Sequence, residues 1–259
     1  DGIRDKLVTG VQTCALPIYD GVVPACASLD CVSVFALSCV DAGMVWDVLG
    51  ENRSWPIAKK TFRFGVPKPL EFFDDAEYAA LYAQAVDRLK AMGGIAVEFD
   101  YAPFKEAAQL LYAGPWVAER TAAVGKFIES AGADAKVWPT TRDIVLSGRK
   151  YSAVDAFEGQ YKLAALKELA ETAMEDLDFL VLPTAGTIYT KSDLEREPVL
   201  YNSNLGHYTN FVNFFGLSGL SLPFGFRPDG MPFGITLISH AFGETTLLRF
   251  GARWQEAKA

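Results

Sequence analysis

The chain has 259 residues, of which 50% are apolar and 22% charged, a composition typical of a globular protein rather than a disordered or fibrous one. Its 32 acidic and 24 basic residues give a formal charge of −8, which argues against a nucleic-acid partner because phosphates are normally bound by a basic face. No apolar run reaches the roughly 18 residues that cross a bilayer and no secretory leader is seen, which predicts a cytoplasmic protein without a membrane partner.

The first 18 residues differ in character from the rest. The stretch VTGVQTCALPI at residues 8–18 has neither strand nor helix periodicity, and it resembles one translated reading frame of a common sequencing-library adapter at all eleven positions. We therefore predict that residues 1–18 are an adapter-derived artefact and that residues 19–259 are the C-terminal part of a single domain. The alternative is a genuine N-terminal strand or tail.

The remaining sequence alternates short apolar runs with longer helical patterns, which is typical of a layered α/β architecture. Strands are predicted at residues 62–66, 95–99, 179–182, 220–223 and 233–238. Helices are predicted at residues 41–49, 75–92, 101–112, 115–130, 140–146, 153–174, 208–215 and 245–256. The strand, helix and strand over residues 62–99 predict a crossover unit with a parallel pair. Residues 193–198 predict a charged surface loop.

The run at residues 179–182 is almost continuously apolar, which predicts a strand buried on both faces. A loop follows it directly, and open α/β sheets place ligands at the carboxyl ends of their strands. Thr184, Gly186 and Thr187 in this loop are therefore candidate pocket residues.

Two further patterns concern packing. Cys26, Cys31 and Cys39 have spacings that match neither a zinc motif nor a disulfide framework, so they are predicted to be small buried side chains. In the longest predicted helix, Phe157 and Tyr161 share one face.

Three stretches together resemble the amidase signature family. GVVPAC and SLDCVS within residues 21–33 are similar to the segment that follows the family's catalytic serine loop, and residues 216–235 are similar to its closing motif. Residues 111–120 and 182–190 resemble the allophanate hydrolase branch, which cleaves urea-1-carboxylate. The resemblance implies an α/β amidase-signature fold, a mixed β-sheet covered by helices, truncated here at the N-terminus.

The resemblance also implies a catalytic Ser, cis-Ser and Lys, in which the Lys acts on the cis-Ser and the cis-Ser activates the nucleophile. It implies no metal and no organic cofactor. In the family these three residues lie upstream of the matching segment, and this sequence contains no comparable loop rich in glycine and serine. We therefore expect the chain to lack its nucleophile, cis-Ser and Lys and to be inactive alone.

Tyr112 and Arg120 lie on either side of a Gly-Pro break at residues 114–115, so one ends a helix and the other lies inside the next. Two helices that meet at a corner can direct both side chains into one cleft. The resemblance implies that these residues hold the substrate carboxylate, and a guanidinium does pair with a planar carboxylate through two hydrogen bonds. From the residues alone, the alternative is an Arg120 salt bridge to Glu119 or Glu106 with Tyr112 packed in the core.

A Ser/His/Asp triad is not supported. His207 and His240 lie in a loop and at a strand end, and no G-x-S-x-G elbow is present. Asp30 is predicted to cap or pair locally and Ser28 to have a structural role, because both residue types readily satisfy backbone groups.

For the intact parent, the resemblance implies a small carboxylated urea-type substrate, a homodimer and functional coupling to a biotin-dependent urea carboxylase. Two other classes stay open. A general amidase, or the transamidating subunit of a glutamine-dependent amidotransferase, shares the family motifs without needing Tyr112 and Arg120. A non-catalytic amidase-like binding protein would share the scaffold alone.

Overall fold

The structure, a computed structural model, describes residues 21–49, 59–132 and 135–257. The segment predicted to be an artefact, residues 1–18, lies outside these ranges. Five strands form one mixed sheet: β1 (Phe62–Lys68), β2 (Gly94–Asp100), β3 (Phe179–Pro183), β4 (Ser218–Phe226) and β5 (Pro232–Ser239). Their order is β2-β1-β3-β5-β4, with β1 parallel to β2 and β3, and β5 antiparallel to β3 and β4.

Ten α-helices surround the sheet within the described ranges. They are α1 (Cys39–Leu49), α2 (Ala76–Ala91), α3 (Ala102–Ala113), α4 (Trp116–Ser130), α5 (Pro139–Ser147), α6 (Ala153–Met174), α7 (Lys191–Arg196), α8 (Pro198–Leu205), α9 (Val212–Phe215) and α10 (Glu244–Glu256). None of these helices is long and apolar enough to cross a membrane.

The predicted crossover unit of β1, α2 and β2 is confirmed. Asp75 caps the start of helix α2, and its carboxylate accepts a hydrogen bond from the Tyr78 backbone N–H at 3.0 Å. It ends before Gly93, which has a φ of +96° and leaves no room for a side chain, since a Cβ there would lie 2.5 Å from the Lys60 carbonyl oxygen. The chain then returns as β2, parallel to β1.

Strand β3 separates two hydrophobic cores. Leu180 and Leu182 face one core, which α3 and α6 cover, and Phe179 and Val181 face the other, which α2 and α10 cover. Because every residue of β3 is buried, the predicted strand with two buried faces is confirmed.

Two predicted elements were wrong. Residues 193–198 are not a charged loop but parts of α7 and α8. The Thr190 hydroxyl accepts from the Asp193 backbone N–H and the Asp193 carboxylate accepts from the Thr190 backbone N–H, so a capping box starts α7 in spite of its charge. The helix predicted at residues 208–215 is shorter, since only Val212–Phe215 is helical.

The burial of one cysteine differs from the prediction, and the apolar face of α6 is unusually exposed. Cys26 and Cys39 are buried as predicted, but Cys31 is exposed. On α6, Phe157 and Tyr161 do share a face, yet that face points to solvent, with the two side chains 56% and 70% exposed. The buried face of α6 instead carries Leu166, so the helix is apolar on two sides.

Candidate active site

The corner between α3 and α4 is formed by Gly114 and Pro115. Gly114 has an extended backbone that ends α3, and Pro115 opens α4 where its missing N–H costs no hydrogen bond. A Cβ at Gly114 would lie 2.6 Å from the Leu110 carbonyl oxygen, so a larger residue would distort the last turn of α3. The corner therefore depends on this glycine and proline.

Tyr112 and Arg120 meet at this corner. The guanidinium carbon of Arg120 lies 4.7 Å from the centroid of the Tyr112 ring, in a cation–π contact. The Nε atom of Arg120 is buried and has no hydrogen-bond partner. Tyr112 is 45% exposed, so it is not a core residue.

Neither alternative salt bridge of Arg120 is formed. Glu106 pairs with Lys162 at 2.6 Å, and both carboxylate oxygens of Glu119 accept hydrogen bonds from Ser28. Within the described ranges, Arg120 has no carboxylate within salt-bridge distance. Its guanidinium therefore lies beside a phenol and near the Cys26 thiol, and no carboxylate of the described residues pairs with it.

Residues 26–30 form a turn that packs against the first turn of α4. The Asp30 carboxylate accepts from the backbone N–H groups of Ala25 at 2.8 Å and Cys26 at 3.1 Å, which confirms its predicted local role. Ser28 donates its N–H to Glu119 Oε1 at 2.7 Å and its hydroxyl to Oε2 at 2.6 Å. Ser28 therefore has a structural partner.

The Cys26 thiol is buried between the turn and α4, where it donates to the Trp116 carbonyl oxygen at 3.6 Å. Burial, and secondarily the charge of Glu119, raise its pKa to about 11, against the opposing effect of Arg120. At neutral pH the thiol is protonated and is not a nucleophile.

A cavity of about 480 Å³ lies next to the turn, lined by Ser28 and Glu119 and by apolar side chains that include Trp116, Leu163 and Phe214. Tyr112 and Arg120 are not among its lining residues. Arg120 directly follows Glu119, which is one of the lining residues.

The candidate pocket loop after β3 contacts β5 and the segment before α2 rather than the corner of Tyr112 and Arg120. The Thr184 and Thr236 hydroxyl oxygens are 2.9 Å apart, and the Thr187 hydroxyl donates to Asp75 at 3.0 Å. A Cβ on Gly186 would lie 2.8 Å from the Glu71 carbonyl oxygen. Thr184, Gly186 and Thr187 thus hold the loop to the sheet and to the start of α2, and the structure gives them no hydrogen bond to Tyr112 or Arg120.

The two histidines do not form a triad with Ser28 and Asp30. His207 packs between aromatic rings, with its centroid 5.5 Å from Tyr101 and 4.6 Å from Tyr208. Burial, and then the charge of Lys105, lower its pKa to about 4. In the part of the chain that the structure describes, no three His, Cys, Asp or Glu residues form a group that could hold a metal ion.

The sequence did not reveal the contact between Ser28 and Glu119. The two residues are 91 positions apart, and no periodic pattern connects them. The only available signal was that each lies within a stretch that resembles the same family.

The profile of the Amidase family matches residues 15–248, and the chain belongs to this family. The chain is 37% identical to urea amidolyase of Lachancea kluyveri over 262 aligned residues. The alignment covers 96% of this chain and 14% of the relative. The structure matches Kluyveromyces lactis allophanate hydrolase with a TM-score of 0.85 and 37% identity, covering 90% of this chain and 40% of that one. A glutamyl-tRNA(Gln) amidotransferase subunit of Thiobacillus denitrificans is 28% identical, over 72% of this chain and 44% of the relative.

These similarities confirm the predicted fold, a mixed sheet covered by helices as in amidase-signature structures. The chain spans less than half the length of each of these three relatives.

Proposed function

We propose that this chain is part of an allophanate hydrolase, an enzyme that converts urea-1-carboxylate and water to ammonia and carbon dioxide through a serine acyl-enzyme. The observation that carries the proposal is the Arg120 guanidinium, which stacks on Tyr112 and has no carboxylate partner within the described ranges. The similarity to Kluyveromyces lactis allophanate hydrolase over 90% of the chain supports it.

The geometry of the corner suits a carboxylated substrate. A guanidinium binds a planar carboxylate through two parallel hydrogen bonds, and the nearby phenol can donate a third. The contact with the Tyr112 ring limits the orientations that the Arg120 guanidinium can adopt. The substrate would therefore be held by its carboxylate end, with its amide carbonyl directed away from the corner towards a nucleophile.

The proposal assigns the nucleophile, cis-Ser and Lys to sequence upstream of this chain. The chain alone would then be inactive, since loss of a serine nucleophile in other enzymes lowers kcat on the order of a millionfold. That it spans 40% of the matching allophanate hydrolase is compatible with this assignment.

The proposal also includes a cytoplasmic, homodimeric parent that needs no metal or organic cofactor and is functionally coupled to a biotin-dependent urea carboxylase. Coupling is supported by Kluyveromyces lactis urea amidolyase, which the chain matches with a TM-score of 0.83 while covering only 15% of that much longer chain. A general amidase or a glutamine-dependent amidotransferase acts on neutral amides and would have no use for an unpaired guanidinium at this corner.

The test uses the enzyme encoded by the complete gene. We expect it to release ammonia from urea-1-carboxylate, and we expect Arg120→Lys to raise KM for that substrate about tenfold, because one of two charge-assisted hydrogen bonds is lost. KM for a neutral amide should change less than about twofold. Arg149→Lys, which conserves charge at an exposed arginine paired with Glu129, is the matched control.

Equal increases in KM for both substrates would contradict the role of Arg120. Efficient turnover of neutral amides with none of urea-1-carboxylate would instead favour a general amidase.

A further inference from the structure

The turn at residues 26–30 is attached to α4 by two neighbouring contacts. Ser28 bonds to both carboxylate oxygens of Glu119, and one turn of helix earlier the Cys26 thiol bonds to the Trp116 carbonyl oxygen. Inside the turn, the N–H groups of Leu29 and Asp30 both donate to the Cys26 carbonyl oxygen at 2.8 Å. The turn is thus closed within itself and fixed to the first turn of the helix.

Glu119 is attached in a way that restricts its orientation. Its two oxygens receive two donors from one residue, the Ser28 N–H and hydroxyl, so rotation of the carboxylate would break at least one hydrogen bond. Arg120 is the next residue of the same helix. Any shift of the turn relative to Glu119 therefore changes the distance between the turn and the Arg120 guanidinium.

We propose that Glu119 is a positioning residue that, through Ser28, sets the distance between the 26–30 turn and the carboxylate-binding guanidinium of Arg120. This inference rests on the proposed function, in which the nucleophile belongs to the chain that enters the turn from its N-terminal side. A substrate held at Arg120 by its carboxylate reacts only if its carbonyl meets that nucleophile, and a displacement of about 1 Å can lower a rate on the order of a hundredfold.

The test compares Glu119→Ala, Ser28→Ala and the double variant in the enzyme encoded by the complete gene. We expect kcat for urea-1-carboxylate to fall about 10- to 100-fold in each, because alignment is lost. KM should stay within about threefold, since Arg120 and Tyr112 still bind the carboxylate. Glu119→Ala removes both hydrogen bonds and Ser28→Ala removes only the one from the hydroxyl, so the double variant should be no slower than Glu119→Ala.

Two readouts separate positioning from a general structural defect. Labelling of the nucleophile by a neutral aryl carbamate, which does not use Arg120, should keep its rate in all three variants. Glu119→Gln should restore kcat to within about threefold, because the amide oxygen can accept from the Ser28 N–H and the amide nitrogen can donate to the hydroxyl. Glu129→Ala, at an exposed salt bridge near the other end of α4, is the matched control and should leave kcat unchanged.

An equal loss of carbamate labelling, additive losses in the double variant, or a Glu119→Gln enzyme as slow as Glu119→Ala would each overturn the inference. If the unmodified enzyme does not hydrolyse urea-1-carboxylate, the proposed function fails and the inference fails with it. If it does and the variants lack the expected selectivity, only the inference fails.

Discussion

At the scale of single residues, the chemistry of the corner depends on which charges are already paired. Arg120 is available because Glu106 is paired with Lys162 and Glu119 with Ser28, not because acidic residues are absent nearby. The meeting of Tyr112 and Arg120 could be predicted, since a two-residue break brings the ends of consecutive helices together. The pairing of Glu119 could not, because its partner comes from a segment 91 positions away.

His207 gives a prediction at this scale. Its pKa of about 4 lies below the ordinary value of 6.5, so the unfolded chain binds a proton more readily than the folded one. The corresponding stability is fully present above pH 6.5 and is lost as the pH falls from 6.5 to about 4. In the enzyme encoded by the complete gene, we expect the midpoint temperature of thermal unfolding to be lower at pH 5 than at pH 7.5. This decrease should be smaller in His207→Asn than in the unmodified enzyme.

The groups that face His207 are few: Lys105 and Glu71 by charge, and the rings of Phe73, Tyr101 and Tyr208. His240→Asn is the control, since His240 is exposed at the end of β5. An identical pH dependence in His207→Asn and the unmodified chain would show that protonation of His207 does not affect folding.

At the scale of elements, long periodic segments were predicted well and short ones poorly. Helix α6 has the predicted bounds, because a capping box starts it and an uninterrupted helical sequence follows. Helices α7 and α8 were missed because neither contains a buried residue, so hydrophobic periodicity could not indicate them. Their signals were local, a Thr190–Asp193 capping box and Pro198 at the first helical position.

The start of α6 allows a test of such a local signal. The Ser152 hydroxyl accepts from the Asp155 N–H at 3.2 Å, and Asp155 accepts from the Ser152 N–H at 2.7 Å. In the enzyme encoded by the complete gene, we expect Ser152→Ala to lower the free energy of unfolding by about 1 kcal/mol, measured by urea denaturation.

Thr172→Ala is the control for the capping test, because it removes a hydroxyl from the same helix that bonds only to the Glu168 carbonyl oxygen. A loss in Ser152→Ala no larger than in Thr172→Ala would show that the capping box contributes nothing to stability.

At the scale of the molecule, the described surface carries large apolar side chains that are almost fully exposed. Phe35 and Leu37 are 96% and 99% exposed, and Val23 and Val48 are also open to solvent. Large apolar side chains with this degree of exposure are typical of a surface that another protein segment covers. Under the proposed function, sequence encoded upstream covers these side chains.

The isolated chain should therefore self-associate, which light scattering and binding of a hydrophobic dye would detect. Co-expression with the upstream part of its gene should reduce both signals. Replacing Phe35 and Leu37 together by Ser should also reduce self-association, whereas Phe127→Ser, at a single exposed position on α4, should not. If the isolated chain were monodisperse and bound no dye, this would contradict the proposal that another segment normally covers these side chains.

The sequence by itself determined the fold class, the crossover unit, the doubly buried strand β3 and the corner that joins Tyr112 to Arg120, because each depends on local periodicity or on neighbours in the chain. Only the tertiary structure decided that α6 exposes Phe157 and Tyr161 and that Ser28 hydrogen-bonds to both carboxylate oxygens of Glu119. These outcomes depend on which distant segments pack together, and contacts between residues far apart in the chain leave no periodic trace in a single sequence.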